Sequence, residues 1–180
     1  GADVTVFDVD VARMRYIDEV WGGRIGTRFS SPLAVREACG ESDVVIGSVL
    51  VPGARTPHLV DHEMVLGMVP GSVLVDVAVD QGGCFEDSHP TTHADPTFVV
   101  GGSVFYCVAN MPGAVPHTST YALTNATMRY VLLLADEGWR GACGSRDDLR
   151  RGLATCGGKL VSAPVGEALG IECVPVSEVL

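Results

Sequence analysis

Gly71-Ser72-Val73-Leu74-Val75-Asp76-Val77-Ala78-Val79-Asp80-Gln81-Gly82-Gly83-Cys84-Phe85-Glu86 is the stretch from which the fold is read. Six apolar residues fill positions 73–79, broken by Asp76, with Pro70-Gly71 before them and Gly82-Gly83 after. A short β-rich run bounded by turn residues predicts a strand buried on both faces, as in parallel sheets. Asp80 falls where that strand is expected to end. Ligands of open parallel sheets bind beyond the carboxyl ends of the strands, so Asp80 is the first candidate for chemistry. Its simpler role is to cap a turn through the Gly82-Gly83 amides. Asp76, an acid inside the apolar run, is expected to be a structural hydrogen-bonding group.

Strand and helix patterns alternate on either side. Residues 3–8 alternate and are β-rich, predicting a strand that ends at Asp8. Asp10 is placed to cap a helix in which Val11, Met14, Ile17 and Trp21 recur at helical spacing, with a stop at Gly22-Gly23. Residues 27–30 form a candidate short strand. Ser31-Pro32 opens a helix running to about Gly40. A second clear strand covers residues 43–50 and closes at Val51-Pro52-Gly53. A helix near 59–67 leads into the opening stretch. Short strands are expected at 97–100 and 105–110, then a long helix from Ser119 to about Gly138, and two shorter ones near 146–153 and 162–169. Successive βαβ units predict a doubly wound parallel sheet of the α/β class.

Composition narrows the function. The 180 residues are 47% hydrophobic and 6% aromatic, with 22 glycines, which suits buried aliphatic strands and tight turns. A formal net charge of −10 argues against nucleic acid or an anionic membrane as partner. The six cysteines form no Cys-x-x-Cys pair, so reduced, mostly buried thiols in a cytoplasmic protein are expected. No apolar run approaches a membrane span, and no signal-peptide pattern opens the chain. The chain starts at Gly1 almost directly with a strand pattern, the look of a portion of something longer.

Asp8 ends an early strand before a helix, the position that binds adenosine ribose hydroxyls in NAD-binding folds. An acid offsetting the helix dipole fits the same position. The ribose role requires a glycine fingerprint about 20 residues upstream, yet only seven residues precede Asp8. Gly22-Gly23-Arg24-Ile25-Gly26 follows a helix and has the wrong spacing. If Asp8 binds ribose, the phosphate-binding turn and its strand would lie before Gly1. That strand would be central, and without it two strand edges and apolar helix faces would stand open. Asn110-Met111-Pro112 ends the last strand as Asp80 ends its own, and a carboxamide there is suited to the nicotinamide amide or simply to a turn. His58/His62 and His89/His93 are each four apart without an evident third ligand, so no metal is expected. Cys84 has no feature that would lower its pKa, and Ser48, Thr118 and Ser119 lack a Gly-x-Ser-x-Gly context.

Three segments are long and specific enough to carry a family resemblance: residues 43–54, residues 75–86, and Asn110-Met111-Pro112 with residues 118–127. Through them essentially the whole chain resembles bacterial alanine dehydrogenase. The transhydrogenase α subunit, the family's other branch, shares the Val-Pro-Gly element but typically lacks Gln-Gly-Gly-Cys-Phe-Glu after the acid. The resemblance implies oxidative deamination of L-alanine to pyruvate and ammonia with NAD as hydride acceptor, in a homohexamer. By matching positions, it implies Asp8, Arg13 and Ser30 near the adenosine end. Val49, Leu50, Val77, Ala78, Val79 and Asp80 would line the dinucleotide. Val108, Ala109, Asn110 and Met111 would meet the nicotinamide, and Asp80 would be the catalytic acid. It further implies an incomplete Rossmann-type NAD-binding domain over 1–116, lacking its first strand. Residues 117–180 would then be a helical segment packing on an absent N-terminal catalytic domain that holds the substrate-binding Arg and Lys and the catalytic His. His89 replaces an Arg found in relatives. Leu133 and Glu137 stand where some members carry metal-associated residues, so no metal is carried over. An inactive remnant or assembly partner, and a transhydrogenase nucleotide-binding domain, are the alternatives.

Overall fold

The computed structural model describes residues 1–51, 54 and 56–180, so Pro52 and Gly53 of the expected turn lie outside the described residues. The chain forms two compact units. One comprises residues 1–49 and 57–109, the other residues 50–56 and 110–180.

The first unit is α/β. Strand β1 (Thr5–Asp8) leads to α1 (Val11–Trp21), β2 (Gly26–Phe29), α2 (Pro32–Glu41), β3 (Val44–Gly47), α3 (His62–Leu66) and β4 (Val73–Asp76). The hairpin β5 (Thr97–Val100) and β6 (Ser103–Tyr106) follows. The local signals act as expected. Asp10 caps α1 by accepting from the Ala12 and Arg13 amides, and Gly22 ends it in the left-handed region (φ 56°). Ser31 caps α2 ahead of Pro32 at the first turn.

The strands form two pieces. β1 and β2 pair in parallel, with Asp8 opposite Phe29. β3, β4 and β6 are also parallel, in the order β3-β4-β6-β5, but β5 is antiparallel to β6. The sheet is therefore mixed rather than wholly parallel, because Gly101-Gly102, both at positive φ, turn β5 directly back into β6. Among the described residues β1 pairs with β2 alone and β3 with β4 alone, so both keep an open edge. Val44 and Ile46 of β3 are 53% and 63% exposed, unlike strands buried within a parallel sheet. On α1, Val11, Tyr16, Val20 and Trp21 are exposed as well.

The core lies between the four-stranded sheet and α2–α3. Leu74, Phe105, Phe85, Val65 and Val60 are buried together with Cys39, Cys84 and Cys107. The Phe105 ring meets Phe85 edge-on at 6.0 Å and stacks on Phe98 at 5.0 Å. Full burial of each such side chain contributes roughly 1.5–3 kcal/mol. β4 is shorter than the apolar run predicts. It stops at Asp76, and residues 79–81 form a single 3-10 turn. The run also does not give a strand buried on both faces, since Val73 and Val75 are half-buried and Val77 is exposed.

In the second unit, α4 (Pro116–Ser145) is longer than expected because the helix resumes after a break at Gly138 (φ 67°, ψ 165°), a conformation glycine tolerates. Then come α5 (Asp147–Arg151), a hairpin of β7 (Thr155–Cys156) and β8 (Lys159–Leu160) that the sequence reading missed, and α6 (Ala163–Leu169). Among the described residues no helix is long and apolar enough to cross a membrane.

Candidate functional site

Asp80 stands not at a strand tip but four residues past the end of β4, on the crest of a loop over residues 77–91. Its side chain is exposed, while Ala78 and Val79 before it are buried in the core. The loop begins beside β3, where the Val77 amide donates to the Gly47 carbonyl at 2.8 Å. Asp76, fully buried, accepts from three groups of the loop: the Ala78 amide (3.0 Å), the Cys84 amide (2.8 Å) and the Ser88 hydroxyl (2.5 Å). This is the structural hydrogen-bonding role the sequence assigned to Asp76.

Other contacts hold the loop from outside. The Leu59 amide donates to the Cys84 carbonyl at 2.8 Å, and the Glu86 amide to the Val60 carbonyl at 3.0 Å. The His58 ring is 3.3 Å from the Gly82 carbonyl through Nε2. At the start of α3 the His62 amide donates to Glu86, and His62 Nδ1 lies 3.0 Å from both Asp87 carboxylate oxygens. The hydrogen bond and charge of Asp87 push the His62 imidazole above its ordinary pKa. On the far side the loop reaches β6: the Thr91 amide donates to the Cys107 carbonyl (2.9 Å), and the Ala109 amide to the Thr91 carbonyl (3.1 Å).

Glycine is required where the backbone packs closest. A Cβ on Gly47 would lie 2.6 Å from Cys84 Cβ and 2.9 Å from Phe85 Cζ. One on Gly83 (φ 81°) would lie 2.8 Å from Asp76 Oδ2. Gly83 is thus explained by the buried carboxylate behind it, and Gly82 by its own positive φ (100°).

Of the remaining candidates, Val49 packs against the core, and Val108 and Ala109 follow β6 across from the loop. These residues and residues 77–80 gather at the carboxyl ends of β3, β4 and β6. Asp8 and Ser30 share a second location, at the ends of β1 and β2, where the Ser30 amide donates to the Asp8 carbonyl at 2.9 Å. The Asp8 carboxylate accepts from the Asp10 amide at 2.9 Å, and Arg13 lies one turn into α1. Leu50, Asn110 and Met111 belong to the second unit. Asn110 is the one non-glycine residue at positive φ (56°) among the described residues, a conformation asparagine accepts readily.

Burial raises the pKa of Cys84 and Cys107, which disfavours the reactive thiolate form. His89 stacks on Phe98 at 3.8 Å. Among the described residues no three His, Cys, Asp or Glu side chains converge as a metal site would require. Sequence reasoning missed His58, Ser88 and Gly47 as supports of the loop. Ser88 is twelve positions from Asp76, with no local pattern linking the two.

A binding face made of the carboxyl ends of parallel strands belongs to the Rossmann-like nucleotide-binding domains, and that is the class of this fold. Comparison with known proteins narrows the class. The family described as "Alanine dehydrogenase/PNT, C-terminal domain" matches residues 1–163, so the chain belongs to that family of oxidoreductases. It is 57% identical to the alanine dehydrogenase of Mycolicibacterium smegmatis over all 180 residues, which cover 48% of that relative. A solved L-alanine dehydrogenase superposes with a TM-score of 0.81 at 46% identity, over 94% of this chain and 47% of the other. A transhydrogenase from Sinorhizobium meliloti superposes with a TM-score of 0.61 at 28% identity, over 77% of this chain and 40% of the other. The chain spans about half the length of the relatives it matches.

Proposed function

We propose that this chain is the nucleotide-binding portion of an NAD-dependent, cytoplasmic L-alanine dehydrogenase, which converts L-alanine, NAD and water to pyruvate, ammonium, NADH and a proton. The observation that carries this reading is Asp80, an exposed acid on a loop anchored by many bonds, beyond parallel strands whose ends form the nucleotide face. The 57% identity to an alanine dehydrogenase, against 28% to the transhydrogenase, favours the dehydrogenase branch.

The residues fit the two ends of a dinucleotide. Asp8 is suited to the adenosine ribose hydroxyls, with Arg13 and Ser30 close in the fold, and its charge disfavours a ribose phosphate. Within the first unit, Val49 and Val77 to Asp80 supply the middle of the face, and Val108 and Ala109 the nicotinamide side. No Gly-x-Gly-x-x-Gly run occurs in the 180 residues to cradle the pyrophosphate. When bound, the nicotinamide accepts the hydride. Asp80 contributes a carboxyl group placed to move protons as the imine forms, adds water and releases ammonia.

Substrate-binding groups for alanine come, in this reading, from a partner domain of the kind that fills the other half of the relatives, and assembly is a homohexamer as in the family. Alone, the chain is expected to turn over little alanine. The test of the nucleotide face is dinucleotide binding by the chain, followed by NADH and NADPH fluorescence. NADH is expected to bind in preference to NADPH, and Asp8→Ala to relax that preference. An unchanged preference would make Asp8 a helix-start acid and no more.

A further inference from the structure

We propose that Asp76 is a positioning residue whose three hydrogen bonds set the place of Asp80, an inference that rests on the role of Asp80 proposed above. The three donors, on residues 78, 84 and 88, bracket Asp80 on both sides. Both carboxylate oxygens are used: Oδ1 takes the near end of the loop and Oδ2 the far end. All the groups satisfied are thus in the loop, and none is in the neighbouring strands. An apolar side chain at position 76 would simply continue the apolar run, whereas a fully buried carboxylate is costly unless well bonded. The cost is tolerated here because the carboxylate does what an apolar residue does not: it draws both ends of the loop onto one point.

The carboxyl group of Asp76 receives these donors on both of its oxygens. The 2.5 Å separation from Ser88 Oγ is in the range of a charge-assisted bond. Ser88 also lies 3.8 Å from Cys107 Sγ, so the same cluster reaches the end of β6, where Val108 and Ala109 begin the opposite wall. Gly83 has room for no side chain between Asp76 and Ser88. Asp76 and Ser88 therefore hold the two walls of the nucleotide face in register.

Asparagine at position 76 keeps the shape but sets an NH2 donor either against the Ala78 amide or against the Cys84 amide and Ser88 hydroxyl. Amide hydrogen exchange on the full chain tests the proposal. With Asp76→Asn, exchange at residues 78–88 is expected to rise about tenfold or more, while the β5–β6 hairpin keeps its native protection. Ser88→Ala, a milder change that preserves the buried acid, is expected to give a smaller rise in the same segment, and Ser88→Thr to restore protection. A uniform rise across the loop and the hairpin, or no rise in the loop, would overturn the positioning role. NADH titration of the same variants separates this from the function itself. If the native chain binds no NADH, the nucleotide reading fails while exchange still decides the role of Asp76. If it binds, Asp76→Asn is expected to weaken binding in step with loop exchange, and unchanged affinity with a loosened loop would overturn the proposal.

Discussion

Gly47→Ala is the sharpest perturbation of the packing that supports Asp80. The added methyl would lie 2.6 Å from Cys84 Cβ, 2.9 Å from Phe85 Cζ and 3.1 Å from Cys84 Sγ. Carbon atoms pack best at about 3.5–4.0 Å, so the 78–88 loop must retreat from β3 by about 1 Å. Phe85 is wedged against Phe105, and the Cys84 amide is fixed by Asp76, so neither neighbour yields freely. Overpacking of this kind costs about 1–3 kcal/mol. For a chain of this size that lowers Tm by about 2–12 °C. Gly40→Ala is the matched control: it sits in α2 with nothing within 4 Å of the new Cβ, and is expected to stabilise by about 0.5–1 kcal/mol. Thermal and urea denaturation of the two variants, followed by circular dichroism, makes the comparison. If Gly47→Ala proves as stable as the native chain, the loop does not pack on β3 as described.

The His62–Asp87 pair gives a pH-dependent contribution. Because His62 is raised above its ordinary value of about 6.5, the pair's stabilisation is fully present below that pH and is lost as pH rises through the raised value. Asp87→Asn should therefore lower Tm at about pH 6 and make little difference in alkaline buffer; an offset constant with pH would contradict the pairing. Thiol alkylation followed by mass spectrometry should modify the half-buried Cys156 and Cys173 under native conditions, and Cys39, Cys84 and Cys107 after denaturant is added. Early modification of Cys84 would mean that the loop opens readily.

Much of the architecture was legible because it is local. Asp10, Gly22 and Ser31-Pro32 mark helix ends through backbone chemistry that acts within a few residues, and the apolar runs locate β3 and β4 correctly. The lengths of those runs misled where tertiary bonding takes over. Residues 77–79 read as more strand, but Asp76 recruits the Ala78 amide and turns the chain out of the sheet. β5 was expected, yet its antiparallel pairing rests on a glycine turn that says little until both strands are known. In the candidate site, the acid at position 80 was picked out by its place after an apolar run. Its supports were not, because Ser88, His58 and Gly47 meet the loop across distances in sequence that no periodicity spans.

The most direct test of the central claim is alanine-dependent NAD reduction by this chain produced together with the N-terminal half of the Mycolicibacterium smegmatis relative. Once the two pieces co-purify, the account predicts NADH formation that requires both, and loss of nearly all of it with Asp80→Asn while the pieces remain associated. A co-purified complex with no turnover, or turnover indifferent to Asp80→Asn, would contradict it.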